Sequence, residues 1–265
     1  MRPTIFLNET DEAGRIQLEN KVRQILIKQD LDELSSAAVD QFAQIANRSI
    51  VAHGSFSVAL AGGSTPSHFY QLLASENHRL KLDWSRVDFF FGDERHVPPD
   101  SDQSNFRMAK ETLLDPLEIS PARVHRWQSE LADANEAAIA YETDLKAYLN
   151  QSGRPIDLVL LGLGEDAHTA SLFPNTAALR EIEKLAVANW VEKLNSYRLT
   201  ITFSTINSAS NVIFLVAGRY KAEAVQMVLE GDFRPDDLPA QFVNPESGDL
   251  FWLIDEAAAS LLADE

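Results

Sequence analysis

Residues 156–174 read Ile-Asp-Leu-Val-Leu-Leu-Gly-Leu-Gly-Glu-Asp-Ala-His-Thr-Ala-Ser-Leu-Phe-Pro. An apolar run of strand length breaks at glycines, then delivers an acid, Asp166, and two residues later a histidine, His168. Histidine changes charge near neutral pH, and a neighbouring carboxylate can hold it in place and strengthen it as a base. A lone histidine is more often structural; the Asp-x-His spacing at the end of a strand shifts this one toward general-base chemistry. Residues 162–167 also fit the dinucleotide fingerprint G-x-G-x-x-A in form. That fingerprint should feed straight into a helix, which Pro174 would interrupt within a turn or two, so the nicotinamide reading carries little weight.

Three further segments could grip an anion. Residues 60–66 end an apolar run in Gly62 and Gly63, followed by the hydroxyls of Ser64 and Thr65 and by Pro66. Glycines let a backbone approach a ligand, and free N–H groups at a helix start attract phosphate; equally, this is a tight turn capped by Ser64 or Thr65. Residues 89–99 end another apolar run in Gly92-Asp93-Glu94-Arg95. Arg95 could face an oxygen-rich ligand, with Asp93 or Glu94 orienting it or binding a hydroxyl, or the charges only tie down a surface loop. Asn105, just downstream, could face the same cleft or cap a helix. In the fourth segment Gly218 precedes Lys221 at a predicted helix start, a point charge for an anion or a solvated first-turn lysine. Arg198, opening a strand-like run, is a further cation or an edge-strand charge.

The elements that must position these residues alternate. Runs of strand length occur at 56–61, 87–92, 156–161, 184–188, 198–203, 211–216 and 250–254. Helical patterns occur at 34–52, 66–74, 105–114, 134–150, 221–229 and 256–262. Such alternation predicts an α/β fold, doubly wound, with a mainly parallel sheet and helices on both faces. Its ligands belong at the carboxyl ends of the strands, where all four segments fall. Residues 7–32 are charged and without clear period, predicting a solvated helix or an added hairpin. No repeat or long linker divides the 265 residues, so one domain is expected, with about residues 1–35 as a peripheral amino-terminal segment.

Composition narrows the partners. With 23 Lys and Arg against 40 Asp and Glu, the formal net charge is −17. Nucleic acid and anionic membrane both demand a basic face, so neither is expected. No run approaches the length of a membrane span, and the first residues lack a secretory pattern, which predicts a cytoplasmic protein; a monomer or weak homo-oligomer is expected. There is no cysteine. Without Cys/His clusters or a His-Glu-x-x-His motif, no metal and no other cofactor is expected.

The four segments together, in this order and spacing, resemble the 6-phosphogluconolactonase family: residues 61–66, then 92–95 with 104–106, then 162–174, then Gly218 with Lys221. The resemblance runs from about Ala37 to the carboxyl terminus. It implies a single phosphorylated sugar lactone as substrate, hydrolysed to 6-phospho-D-gluconate in the oxidative pentose phosphate pathway. In that reading His168 activates water, Asp166 supports it, and Arg95 or N–H groups near Gly62 and Gly63 hold the oxyanion. Ser64, Thr65, Asp93, Glu94, Asn105, Arg198 and Lys221 would bind phosphate or sugar hydroxyls. The family usually has glycine where this chain has Ala167; if φ is positive there, alanine is strained. A sister family, the glucosamine-6-phosphate deaminases, shares the fold but carries a glutamate where this chain has Phe173. A deaminase-like isomerase and a non-catalytic sugar-phosphate sensor are the alternatives.

Overall fold

The computed structural model describes residues 23–263. Nine strands and six helices follow one another: β1 (Arg23–Lys28), α1 (Leu31–His53), β2 (Phe56–Leu60), α2 (Ser64–Leu73), β3 (Val87–Phe91), β4 (Asp93–Arg95), α3 (Asn105–Ala109), α4 (Ala134–Ser152), β5 (Leu158–Leu161), β6 (Ala186–Val191), β7 (Ser196–Ile201), α5 (Phe203–Ser208), β8 (Asn211–Val216), α6 (Ala222–Leu229) and β9 (Asp249–Asp255). Six strands form one sheet in the order β1-β9-β8-β5-β2-β3, and every pair in it is parallel. Strands β2, β3, β5 and β8 are buried at every position, which is why their sequences are unbroken apolar runs. Helices α1 and α2 pack against each other while α4 lies on β6 and β7. The connections through α1 and α2 run one way along the sheet and those through α4 and α6 the other, so right-handed crossovers place the two sets on opposite faces.

Where that direction reverses, ligands bind. β2 leads through α2 to β3 on one side, while its other neighbour, β5, leads on toward β8. The crevice outside the carboxyl ends of β2 and β5 is therefore the switch point of the sheet. The turns at residues 62–63 and 162–168 both open there.

Four expectations change. Residues 23–28 are neither a solvated helix nor a hairpin: they form β1, the edge strand, paired in parallel with β9. The described part of the expected peripheral segment thus joins the main sheet; residues before 23 lie outside the described region. Residues 93–95, expected in a loop, form β4, which pairs antiparallel with β7, and β7 pairs antiparallel with β6, giving a separate three-stranded sheet. Strand-like runs at 184–188 and 198–203 therefore do not join the parallel sheet. Residues 256–262 form turns rather than a helix, and 203–208 turn helical as α5.

Two buried tyrosines fix the strand ends nearest the crevice. The Tyr70 hydroxyl, on α2, accepts from the Ala61 N–H and donates to the Ala61 carbonyl, both at 2.9 Å. The Tyr141 hydroxyl, on α4, does the same for Phe91, accepting at 2.9 Å and donating at 2.8 Å. Each satisfies two backbone groups where a ladder ends, and burial pushes both phenols far above their usual range, so they stay protonated. Tyr70→Phe strands a buried N–H and C=O, and we expect it to cost about 2 kcal/mol of unfolding free energy. An unchanged urea midpoint would contradict that role.

Candidate active site

The loop after β5 is shaped around His168. Its Nδ1 lies 2.5 Å from Asp166 Oδ1, and its backbone N–H donates to the same oxygen at 3.3 Å. Burial raises the proton affinity of the half-buried Asp166 carboxyl, but the contacts from His168 and Lys193 more than reverse this, holding it well below the ordinary carboxylate range. An ionised carboxylate only accepts, so Nδ1 carries a proton, and in the neutral imidazole the lone pair therefore lies on Nε2. The ring stacks on Phe173, centroids 4.0 Å apart with 23° between the planes. Gly164 is the clearance that permits this: a Cβ there would sit 2.0 Å from His168 Nδ1. The fingerprint reading of residues 162–167 fails on this geometry, because no helix follows them.

The diglycine turn faces the histidine loop across the crevice. α2 starts at Ser64 with Gly63 as its first flanking residue, and no side chain caps it. The alternative in which Ser64 or Thr65 caps its own helix is thus not what the structure shows. Gly62 admits Asn105, whose Oδ1 would lie 2.0 Å from a Cβ at that position. Asn105 Nδ2 donates to the Asp93 carbonyl at 3.0 Å and to Asp93 Oδ1 at 3.2 Å, while Ser171 Oγ donates to Asp93 Oδ2 at 2.6 Å. Asp93 is buried and borders the crevice. Glu94, also buried, points elsewhere: it accepts from the N–H groups of Arg95, Asn105 and Phe106 and from Ser104 Oγ, at 2.7–3.0 Å. Burial pushes the Glu94 carboxyl up against those donors. It anchors the start of α3 and does not line the cavity.

An inner cavity of about 260 Å³ runs from residues 62–65 past Asn105 and His168 to Lys221. An outer one of about 420 Å³ shares Asp93, Arg95, His168 and Lys221 with it and adds Asp166, Lys193 and Arg198. Arg95 and Arg198 stand directly opposite in the β4–β7 register. Like charges so placed repel each other unless an anion joins them. Arg95 donates to the Gln103 carbonyl, and Arg198 to Ser196 Oγ at 2.6 Å. Burial, then the Arg95 charge, lowers the Arg198 pKa, and burial lowers that of Lys221. The structure thus brings together every candidate residue but Glu94 around one crevice. Reasoning from sequence passed over Lys193, Ser171 and Phe173 as site residues; Ser171 and Phe173 sit inside the histidine motif, whereas nothing near Lys193 in sequence marks it. Among the described residues no group of three or more His, Asp or Glu is placed to hold a metal, and no helix is long and apolar enough to cross a membrane.

The loop carries backbone strain. Ala167 has φ 59° and Ala170 φ 47°, both in the left-handed region. The Ala167 carbonyl accepts from the Ala240 N–H at 3.0 Å, which helps to hold it there. Left-handed backbone costs an L-residue about 1–2 kcal/mol, and glycine gives part of this back in lost chain entropy. We expect Ala167→Gly to raise the unfolding free energy by roughly 0.5–1 kcal/mol, read as a higher urea midpoint at unchanged slope.

Comparison with known proteins agrees with this architecture. Residues 29–252 match the family described as glucosamine-6-phosphate isomerases/6-phosphogluconolactonase. The 6-phosphogluconolactonase of Synechocystis sp. is 39% identical over 218 residues, covering 81% of this chain and 88% of that protein. That of Nostoc sp. is 38% identical, covering 88% and 96%. The solved 6-phosphogluconolactonase of Trypanosoma brucei superposes with a TM-score of 0.79 at 32% identity, over 92% of this chain and 99% of that one. A monomeric glucosamine-6-phosphate deaminase, 23% identical, shares the fold with a TM-score of 0.75. The chain therefore belongs to the glucosamine-6-phosphate isomerase/6-phosphogluconolactonase family.

Proposed function

We propose that this chain is a 6-phosphogluconolactonase that hydrolyses 6-phospho-D-glucono-1,5-lactone to 6-phospho-D-gluconate, with His168 as general base. The observation that carries the reading is the imidazole held by an ionised carboxylate at 2.5 Å, on the wall of a cavity whose opposite rim offers hydroxyls, N–H groups and a lysine. The names of the relatives that share most of this sequence support the same reaction.

The chemistry follows from the free lone pair on Nε2. It takes a proton from water as the water oxygen attacks the lactone C1 carbonyl. The carbonyl electrons move onto oxygen, and Arg95 or the N–H groups around Gly62 and Gly63 stabilise the resulting oxyanion. The oxyanion collapses, the bond from C1 to the ring oxygen breaks, and the imidazolium returns its proton to that oxygen. Asp166 stabilises the imidazolium in between. Ser64, Thr65, Arg198 and Lys221 hold phosphate and sugar hydroxyls, with Asp93 and Asn105 at the same wall. Glu94 acts only through the start of α3.

Phe173 argues against the isomerase alternative. It stacks on His168 where a relay would need a second acid or base, and a phenyl ring moves no proton. A sensor would bind without turnover, which an assay decides. We expect His168→Asn to lose about 10²–10⁴-fold in kcat on freshly generated lactone, corrected for spontaneous hydrolysis. The same variant should still bind 6-phosphogluconate. Unchanged kcat would refute the mechanism, and absence of turnover in the unmodified chain would leave the sensor.

A further inference from the structure

Asp166, His168, Phe173 and Lys193 close a ring of contacts, only part of which the general-base chemistry uses. Asp166 Oδ1 meets His168 Nδ1, and Asp166 Oδ2 takes the Lys193 ammonium. Lys193 Nζ also sits 4.8 Å from the centroid of the Phe173 ring, the same ring that stacks on His168. Three members come from the loop after β5. The fourth comes from the tip of the β6–β7 hairpin, a turn at Glu192–Leu194 closed by Asn195 with φ 45°.

We propose that Lys193 is a positioning residue for His168, pinning the second oxygen of Asp166 so that the carboxylate holds the imidazole in one orientation. The inference rests on the general-base reading above. An aspartate side chain turns over a broad, two-fold range about its last torsion, and both bonds from His168 fall on Oδ1 alone, which leaves Oδ2 unanchored. A second anchor on Oδ2 does, and the aromatic face fixes the ammonium in turn.

Stability does not account for the pair. The Lys193 side chain is 53% exposed, and ion pairs so exposed contribute little to folding. Substrate binding does not account for it either. Among the described residues Arg95, Arg198 and Lys221 border the same cavity without an ion-pair partner, free to meet a phosphate, whereas Lys193 is committed to Asp166.

Steady-state lactone hydrolysis tests this with Lys193→Met, Lys193→Arg, Asp166→Asn, the Asp166→Asn/Lys193→Met double variant and His168→Asn. Loss of orientation should lower kcat of Lys193→Met by about 10-fold or more with KM within about two-fold, and Lys193→Arg should restore most of it. In the Asp166→Asn background the methionine should add less than about two-fold, because no carboxylate remains to pin. A raised KM with unchanged kcat would make Lys193 a substrate ligand and overturn the proposal. Losses that multiply in the double variant would overturn it too. His168→Asn separates the two readings: if it is inactive while Lys193→Met is normal, only this inference falls; if it keeps full turnover, the general-base reading falls and takes this one with it.

Discussion

The ionised carboxylate of Asp166 is the constraint around which the site is arranged. Burial alone would raise its proton affinity; the imidazole and the ammonium reverse this and keep it charged. A charged carboxylate cannot donate, so the imidazole must, and that choice leaves Nε2 as the atom able to take a proton. The surrounding features serve this one contact. Gly164 has no side chain where the ring must lie, and the chain accepts left-handed backbone at Ala167, the residue between acid and histidine, and again at Ala170 just beyond them. Strain of this kind persists only where the surroundings over-determine it, as here through Ala240, Phe173 and Lys193.

Behind the loops the scaffold is made rigid by backbone groups that find unusual partners. Strand ends at Ala61 and Phe91 would otherwise leave buried N–H and C=O groups unpaired at the turns that form the crevice. Tyr70 and Tyr141 fill those vacancies from two different helices, and the Trp127 Nε1–H is a second donor to the Phe91 carbonyl. Glu94 does the equivalent for α3, spending its carboxylate on three N–H groups and one hydroxyl. Asn105 is thereby held against Gly62 and Asp93, beside the diglycine turn.

Charge is distributed against the overall field. The chain carries −17, yet Arg95, Arg198, Lys193 and Lys221 border one outer cavity. Long-range repulsion of an anion is screened beyond a Debye length of about 8 Å, so the local cations count most at contact. Their arrangement divides the work. Two arginines opposed across an antiparallel pair, and a half-buried lysine at the start of α6, form no ion pair among the described residues, while the fourth cation serves the acid.

Much of this was legible in sequence. The buried parallel strands are unbroken apolar runs, and the glycines that end them mark where ligand loops begin; both follow from local sterics and two-faced burial. Asp166 and His168 are two residues apart, so their contact is a local matter that spacing alone could suggest. Other features depend on residues distant in the chain. β1 is a short edge strand with a charge at each end, whose pairing with β9 joins the two ends of the described chain, and no local period announces it. Glu94 looked like a ligand residue because it follows a strand-ending glycine, but burial under α3 gave it a structural task. Arg95 faces Arg198, and Lys193 reaches Asp166, only because β4, β6 and β7 pair into a second sheet. The sequence by itself determined the strands, the turns and the acid–histidine pair, since those rest on neighbours in the chain. The cations around them were decided by the tertiary structure alone, because long-range strand pairing sets which charges meet.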